Sequence, residues 1–229
     1  SLLIAPKDNL GLSFESSEIE ADNTTSARFE VLSIGVMVQD PQTHAILLKT
    51  YDQNLDDFTR IHPEERILAL YCAAKRGNKT DYELMQSLYR SNSEDISLRE
   101  DLMYALTSFE DPEFTIQNID LIQDSNFVRA QDVISWISLM ISSSADARSE
   151  VLNFIIKQKG WDWLSQILTT FDASSAARII FTSAYNKADL NKLKKFFDAQ
   201  QNPELEKAIS EAVDMAKSRI LWASRELPG

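Results

Sequence analysis

Apolar residues recur at helical spacing in short runs along most of the chain, and no alternating strand pattern competes with them. The runs are Ile67, Leu70, Tyr71, Ala74; Leu98, Leu102, Leu106; Val133, Trp136, Ile137, Met140; Ala147, Val151, Phe154, Ile155; Leu190, Leu193, Phe197; and Leu205, Ile209, Val213, Ala216, Ile220. Each predicts one buried stripe on an amphipathic helix. Several starts are legible because an Asx residue, whose side chain can cap, stands before a proline that fits the first helical position. Asp40-Pro41, Asp111-Pro112 and Asn202-Pro203 have this form, and His62-Pro63-Glu64-Glu65 is a weaker version with two acids on the first turn. The chain holds only 5 glycines and 6 prolines in 229 residues, which agrees with a helical reading. Average usage is about 7% and 5%, and both residues are costly inside helices.

Successive starts near residues 24, 41, 63, 80, 94, 111, 130, 144, 161, 173, 187 and 203 predict about a dozen short helices joined by short polar loops. Taken in pairs they recur every roughly 30 to 40 residues, the size of helical-hairpin repeats. The expected fold is therefore all-α, a curved α-solenoid of antiparallel helix pairs forming a HEAT- or armadillo-like superhelix. No strict sequence repeat accompanies the spacing, which leaves an irregular compact bundle as the alternative. Residues 1–22 are polar and Ser/Glu-rich after a short apolar start, and read as connector and lead-in. Residues 23–229 contain no Gly/Ser/Pro-rich linker and no charge block, and read as one helical-repeat domain.

A net charge of −12 argues against nucleic acid and anionic membrane as partners, since phosphate contacts need clustered cations. The nearest cluster, Lys192, Lys194 and Lys195, reads as a solvated helix face among Leu193, Phe196 and Phe197. No stretch approaches the roughly 18 consecutive apolar residues of a membrane span, and the opening Ser-Leu-Leu-Ile-Ala-Pro lacks the features of a signal peptide. It also lacks an initiator Met, from which we expect a fragment of a longer protein. The single cysteine, Cys72, lies in an apolar helical run and has no partner for an internal disulfide. It reads as a small buried hydrophobe, and a reducing, cytoplasmic setting is expected.

Catalytic signatures are missing. A zinc hydrolase usually places two histidines four residues apart on one helix, but His44 and His62 stand 18 residues apart. They read as surface or capping histidines. Asp52-Gln53-Asn54-Leu55-Asp56-Asp57 opens like a calcium loop, yet position six is Asp57 in place of Gly and position twelve is Pro63 in place of Glu. G-x-S-x-G, a P-loop and G-x-G-x-x-G are absent. No catalytic residue, metal ligand or cofactor is therefore assigned to this chain. Asn23-Thr24-Thr25 and Asn78-Lys79-Thr80 fit the glycosylation sequon, which matters only in a secreted protein. Trp161 and Trp163 read as core and not as a stacking platform.

The order of segments resembles a known family. Ser97-Leu98-Arg99-Glu100-Asp101-Leu102-Met103-Tyr104-Ala105-Leu106-Thr107 is similar to a "K-E-D-L-L-Y-A-L" helix in the C-terminal domains of the aminopeptidase N family. Val128-Arg129-Ala130-Gln131-Asp132 resembles its "V-R-x-Q-D", Gly160-Trp161-Asp162-Trp163-Leu164 its "N-W-x-x-L", and Leu193-Lys194-Lys195-Phe196-Phe197 its "L-x-x-F-F". A closing helix ends in Trp222. The resemblance runs from about Leu10 to Trp222 and is nearest to the cytosolic enzymes of lactic acid bacteria. Gly160, Leu12 and Arg219 depart from the family, which often has Asn, Trp and Asn there.

What the resemblance implies is a helical-repeat domain that covers the active site of an upstream, thermolysin-like zinc domain and admits only small peptides. The zinc, the H-E-x-x-H and the G-x-M-E-N motif are expected in that missing domain, which with peptide substrates would be this chain's partner. Among residues that would face peptide, Arg129 is the first candidate, because a guanidinium can hold a carboxylate bidentately, with Gln131 and Asp132 as neighbours. The alternative for Arg129 and Asp132 is an i,i+3 surface pair or cap. The alternative function is a free-standing HEAT-like interaction scaffold.

Overall fold

The computed structural model describes residues 22–226, and every regular element in that range is helical. The connector expected over residues 1–22 lies outside the described residues apart from its last position. Twelve α-helices follow one another: α1 (Asp22–Met37), α2 (Pro41–Gln53), α3 (Pro63–Arg76), α4 (Lys79–Ser91), α5 (Ile96–Leu106), α6 (Pro112–Gln123), α7 (Val133–Ser143), α8 (Ala145–Lys157), α9 (Gly160–Ile167), α10 (Thr170–Thr182), α11 (Lys187–Gln200) and α12 (Glu206–Glu226). Short 3-10 turns stand at Phe58–Arg60 and Ala130–Asp132.

The capping chemistry read from the sequence is present. Asp40 accepts from the Thr43 N–H at 2.9 Å, Asp111 from that of Glu113 at 2.9 Å, and the His62 ring from that of Glu64 at 3.4 Å. Each such cap satisfies one of the orphan donors that every helix start exposes. Three starts differ. Asn202 accepts from the Glu204 N–H at 3.0 Å, but it caps a turn through Pro203, and α12 begins at Glu206. Before α7 the chain first makes the 3-10 turn, and α10 begins at Thr170 under a Thr169 cap.

The chain divides into two compact units, Ser1–Phe109 and Glu110–Gly229. In the first unit α3 is the central element and packs against α1, α2, α4 and α5. The expected stripe on α3 is too narrow. Leu68, Ala69, Leu70, Cys72, Ala73 and Ala74 are all buried, while Ile67 and Tyr71 are only half-buried. A helix with neighbours on most sides loses its polar face, and the alanines let those neighbours approach closely. Gly35 serves the same purpose between α1 and α2, since a Cβ there would lie 2.5 Å from the Thr43 hydroxyl. Polar ties cross the same core. Arg66 Nε meets Asp101 at 2.6 Å, its Nη2 donates to Ser97 at 2.8 Å, and the Tyr51 hydroxyl donates to Asp81 at 3.2 Å.

In the second unit α8 packs against α6, α7 and α9, while α10 packs against α7 and α12, and α11 against α12. The expected stripes of α7 and α8 are buried in full. Trp161 and Phe197 form a T-shaped pair with ring centroids 4.8 Å apart, and Phe197 lies 5.3 Å from Phe181. Gly160 abuts the Phe154 ring so closely that a Cβ would lie 2.7 Å from it, which accounts for glycine at that place. In both units the main packing joins helices one to three positions apart in the chain.

Candidate functional site

Arg129, Gln131 and Asp132 come together at the 3-10 turn that leads into α7. The Arg129 side chain is 50% exposed, and its Nε stands 3.4 Å from an Asp132 carboxylate oxygen. Gln131 is exposed beside them. The guanidinium thus already holds a carboxylate while its side chain stays half-solvated. Chemically the turn can bind or orient an acidic group, but it offers no nucleophile and no buried base.

The other residues singled out in the sequence take structural roles. His44 lies on α2 with its Nε2 3.3 Å from the Val36 carbonyl, and His62 caps α3. The calcium-like loop does not converge on a centre: Asp52 meets Arg76 at 3.0 Å, Asp57 accepts from the Thr59 N–H at 3.0 Å, and Asn54 donates to the Thr50 carbonyl at 2.8 Å. Asn78 accepts from the Thr80 N–H at 2.9 Å and so caps α4. Trp161 is core, and Trp163 leans on Phe154 at 6.0 Å. Among the described residues no three His, Cys, Asp or Glu side chains are placed to hold a metal ion, and no helix is long and apolar enough to cross a membrane.

Cys72 is buried in the core of the first unit, where loss of water pushes its thiol up to about 12. A thiol needs to ionise to react, so this one should be inert. At pH 8 the native chain should give no reaction with a disulfide-exchange reagent such as Ellman's, and denatured chain should give one thiol per molecule. Rapid labelling of native chain would contradict the burial.

One cluster was invisible in the sequence. Tyr185, between α10 and α11, lies 3.8 Å from the guanidinium carbon of Arg148 on α8 and 5.0 Å from that of Arg219 on α12. Arg219 Nη2 also donates to the Ala184 carbonyl at 2.7 Å, and Arg148 Nε to that of Ile141 at 3.3 Å. Stacked on one ring and tied to backbone carbonyls, the two arginines join α8, the α10–α11 loop and α12. Positions this far apart in the chain leave no local pattern, although Arg219 was marked by its departure from the resembled family. Leu12, another such departure, lies outside the described residues.

The sequence model of a family described as the ERAP1-like C-terminal domain matches residues 3–218. Glutamyl aminopeptidase of Bos taurus is 25% identical over 156 residues, which cover 66% of this chain and 16% of that protein. Glutamyl aminopeptidase of Sus scrofa is likewise 25% identical over 156 residues, with the same 66% and 16%. The matched part of the chain thus spans less than a fifth of the length of these relatives.

Proposed function

From the premise that this chain belongs to the ERAP1-like C-terminal domain family, we propose that it is the non-catalytic C-terminal domain of a zinc-dependent aminopeptidase, covering the active site and gating peptide access. The observation that carries this reading is the family match over residues 3–218, joined by similarity to two proteins named as aminopeptidases. Its partners are the catalytic domain of the same protein and the peptides that domain trims. In this reading zinc is held by that domain and not by this chain. Stacked helices continued as a curved shell would shield the reaction from bulk water and exclude large substrates. A cytoplasmic setting accords with a lone cysteine held as a thiol in the core.

Arg129 is the residue through which peptide contact is best tested. In the full-length enzyme Arg129→Ala should raise KM for peptides of about ten residues several-fold and leave kcat and the KM for a single-residue chromogenic substrate unchanged. An unchanged KM for the longer peptides would remove Arg129 from the substrate path and leave it as the surface partner of Asp132.

A further inference from the structure

Helices α8 and α11 of the second unit leave a groove of about 570 Å³ between them. Its floor is apolar, formed by the half-buried Leu152 and Ile156 of α8 and by Leu193 and Phe196 of α11. Along α8 the lining residues Ser149, Leu152, Asn153 and Ile156 follow i, i+3, i+4, i+7 spacing. Along α11, Asp189, Lys192, Leu193 and Phe196 repeat it. Two stripes of this kind offer ridges and grooves for one more helix.

The rim carries an unusual charge for so acidic a chain. Lys157, Lys192 and Lys195 border the groove, against Asp189 as its one acidic lining residue. Lys192 reaches Asp189 only at 3.7 Å, and Lys157 and Lys195 make no ion pair among the described residues. Lys194, between the two rim lysines of α11, turns away and meets Asp198 at 2.6 Å. The lysine run of α11 is therefore split, with two of its three charges directed to the groove. In a molecule of net charge −12 this local positive rim attracts an acidic partner that the rest of the surface repels.

We propose that this groove docks an acidic amphipathic helix of a partner protein. Its apolar stripe would cover Leu152, Ile156, Leu193 and Phe196, and its flanking carboxylates would meet Lys157, Lys192 and Lys195. This is the helix-in-groove mode of recognition, with charge setting the choice of partner. The groove lies wholly within the second unit and is independent of the proposed function.

The test uses a fluorescein-labelled, stapled two-heptad peptide with leucines at i, i+3, i+4 and i+7 and glutamates on its flanks, titrated with the full chain by anisotropy. Saturable binding is expected, at least tenfold tighter than for the same peptide with lysines in place of glutamates, and weakened by 0.5 M salt. Lys157→Glu/Lys192→Glu/Lys195→Glu should weaken it at least tenfold, whereas Lys194→Glu should leave it unchanged. All four substituted side chains are exposed, and circular dichroism melts matching the parent chain confirm folding. Equal affinity for the acidic and basic peptides, or for the parent and triple variant, would overturn the proposal. A proline-interrupted acidic peptide that binds equally well would overturn the helical occupant. A groove-dependent dimer in sedimentation would assign the groove to a second copy instead.

Discussion

Trp136→Ala should lower the stability of the folded chain by about 3 to 5 kcal/mol, the cost of removing a large aromatic side chain from a closed core. Trp136 has no exposed surface, and it stands on α7, which packs against α6, α8 and α10 of the second unit. Phe127 approaches its ring at 6.3 Å with an interplanar angle of 65°, an edge-on contact that alanine also forfeits. Val133, Ile137 and Met140 complete the buried face and cannot move into the gap without leaving partners of their own. Urea unfolding followed by circular dichroism gives the number, provided the slope of free energy against denaturant is unchanged. A loss below about 1 kcal/mol would place this side chain outside the packed interior.

Asp101→Ala should cost about as much, roughly 3 to 5 kcal/mol, for a different reason. The partner Arg66 keeps only 5% of its side chain exposed, and Asp101 keeps 12%. Removing the carboxylate leaves a buried guanidinium with the Ser97 hydroxyl as its remaining side-chain acceptor among the described contacts. The penalty combines the lost bonds to Arg66 with the burial of a guanidinium left without its partner. Arg66→Met combined with Asp101→Leu should recover most of the loss, and a double-mutant cycle measures the difference. If the double variant is as unstable as Asp101→Ala, packing and not charge sets the cost.

The same carboxylate has a pH signature. Burial raises Asp101 above its ordinary value, and the nearby Arg66 lowers it only in part. The folded chain then holds this proton more tightly than the unfolded chain. Its contribution to stability is full below the unfolded value near about 4 and declines as pH rises through the folded value. Asp101→Asn should remove that decline from the part of the stability profile above the unfolded value, and a profile unchanged by the substitution would contradict it.

The sequence made the helices legible because their signals are local. Asp40, Asp111 and His62 cap the starts they were expected to cap, since a cap involves only the next two or three residues. Asn202-Pro203 misled by three residues because an Asx-Pro pair stabilises an isolated turn as well as a helix start. The α3 stripe was drawn too narrow because alanines and Cys72 carry little periodic contrast, and only the surrounding helices decide that they are inside. The Arg129 turn could be named from its motif, and its pairing with Asp132 follows from an i,i+3 separation. The Arg148, Tyr185 and Arg219 cluster could not, because its members meet across three elements. The rim of the α8–α11 groove was half visible as a lysine run, but which lysines faced inward depended on how α11 was rotated against α8.

Helices that pack mainly on near neighbours in the chain also bear on how the molecule reaches its native state. Little loop entropy is lost before each new contact is rewarded, so contact order is low and the barrier to folding correspondingly small. Hairpins can nucleate at several places and grow by addition, and a lesion such as Trp136→Ala should speed unraveling of its own unit before it slows assembly elsewhere.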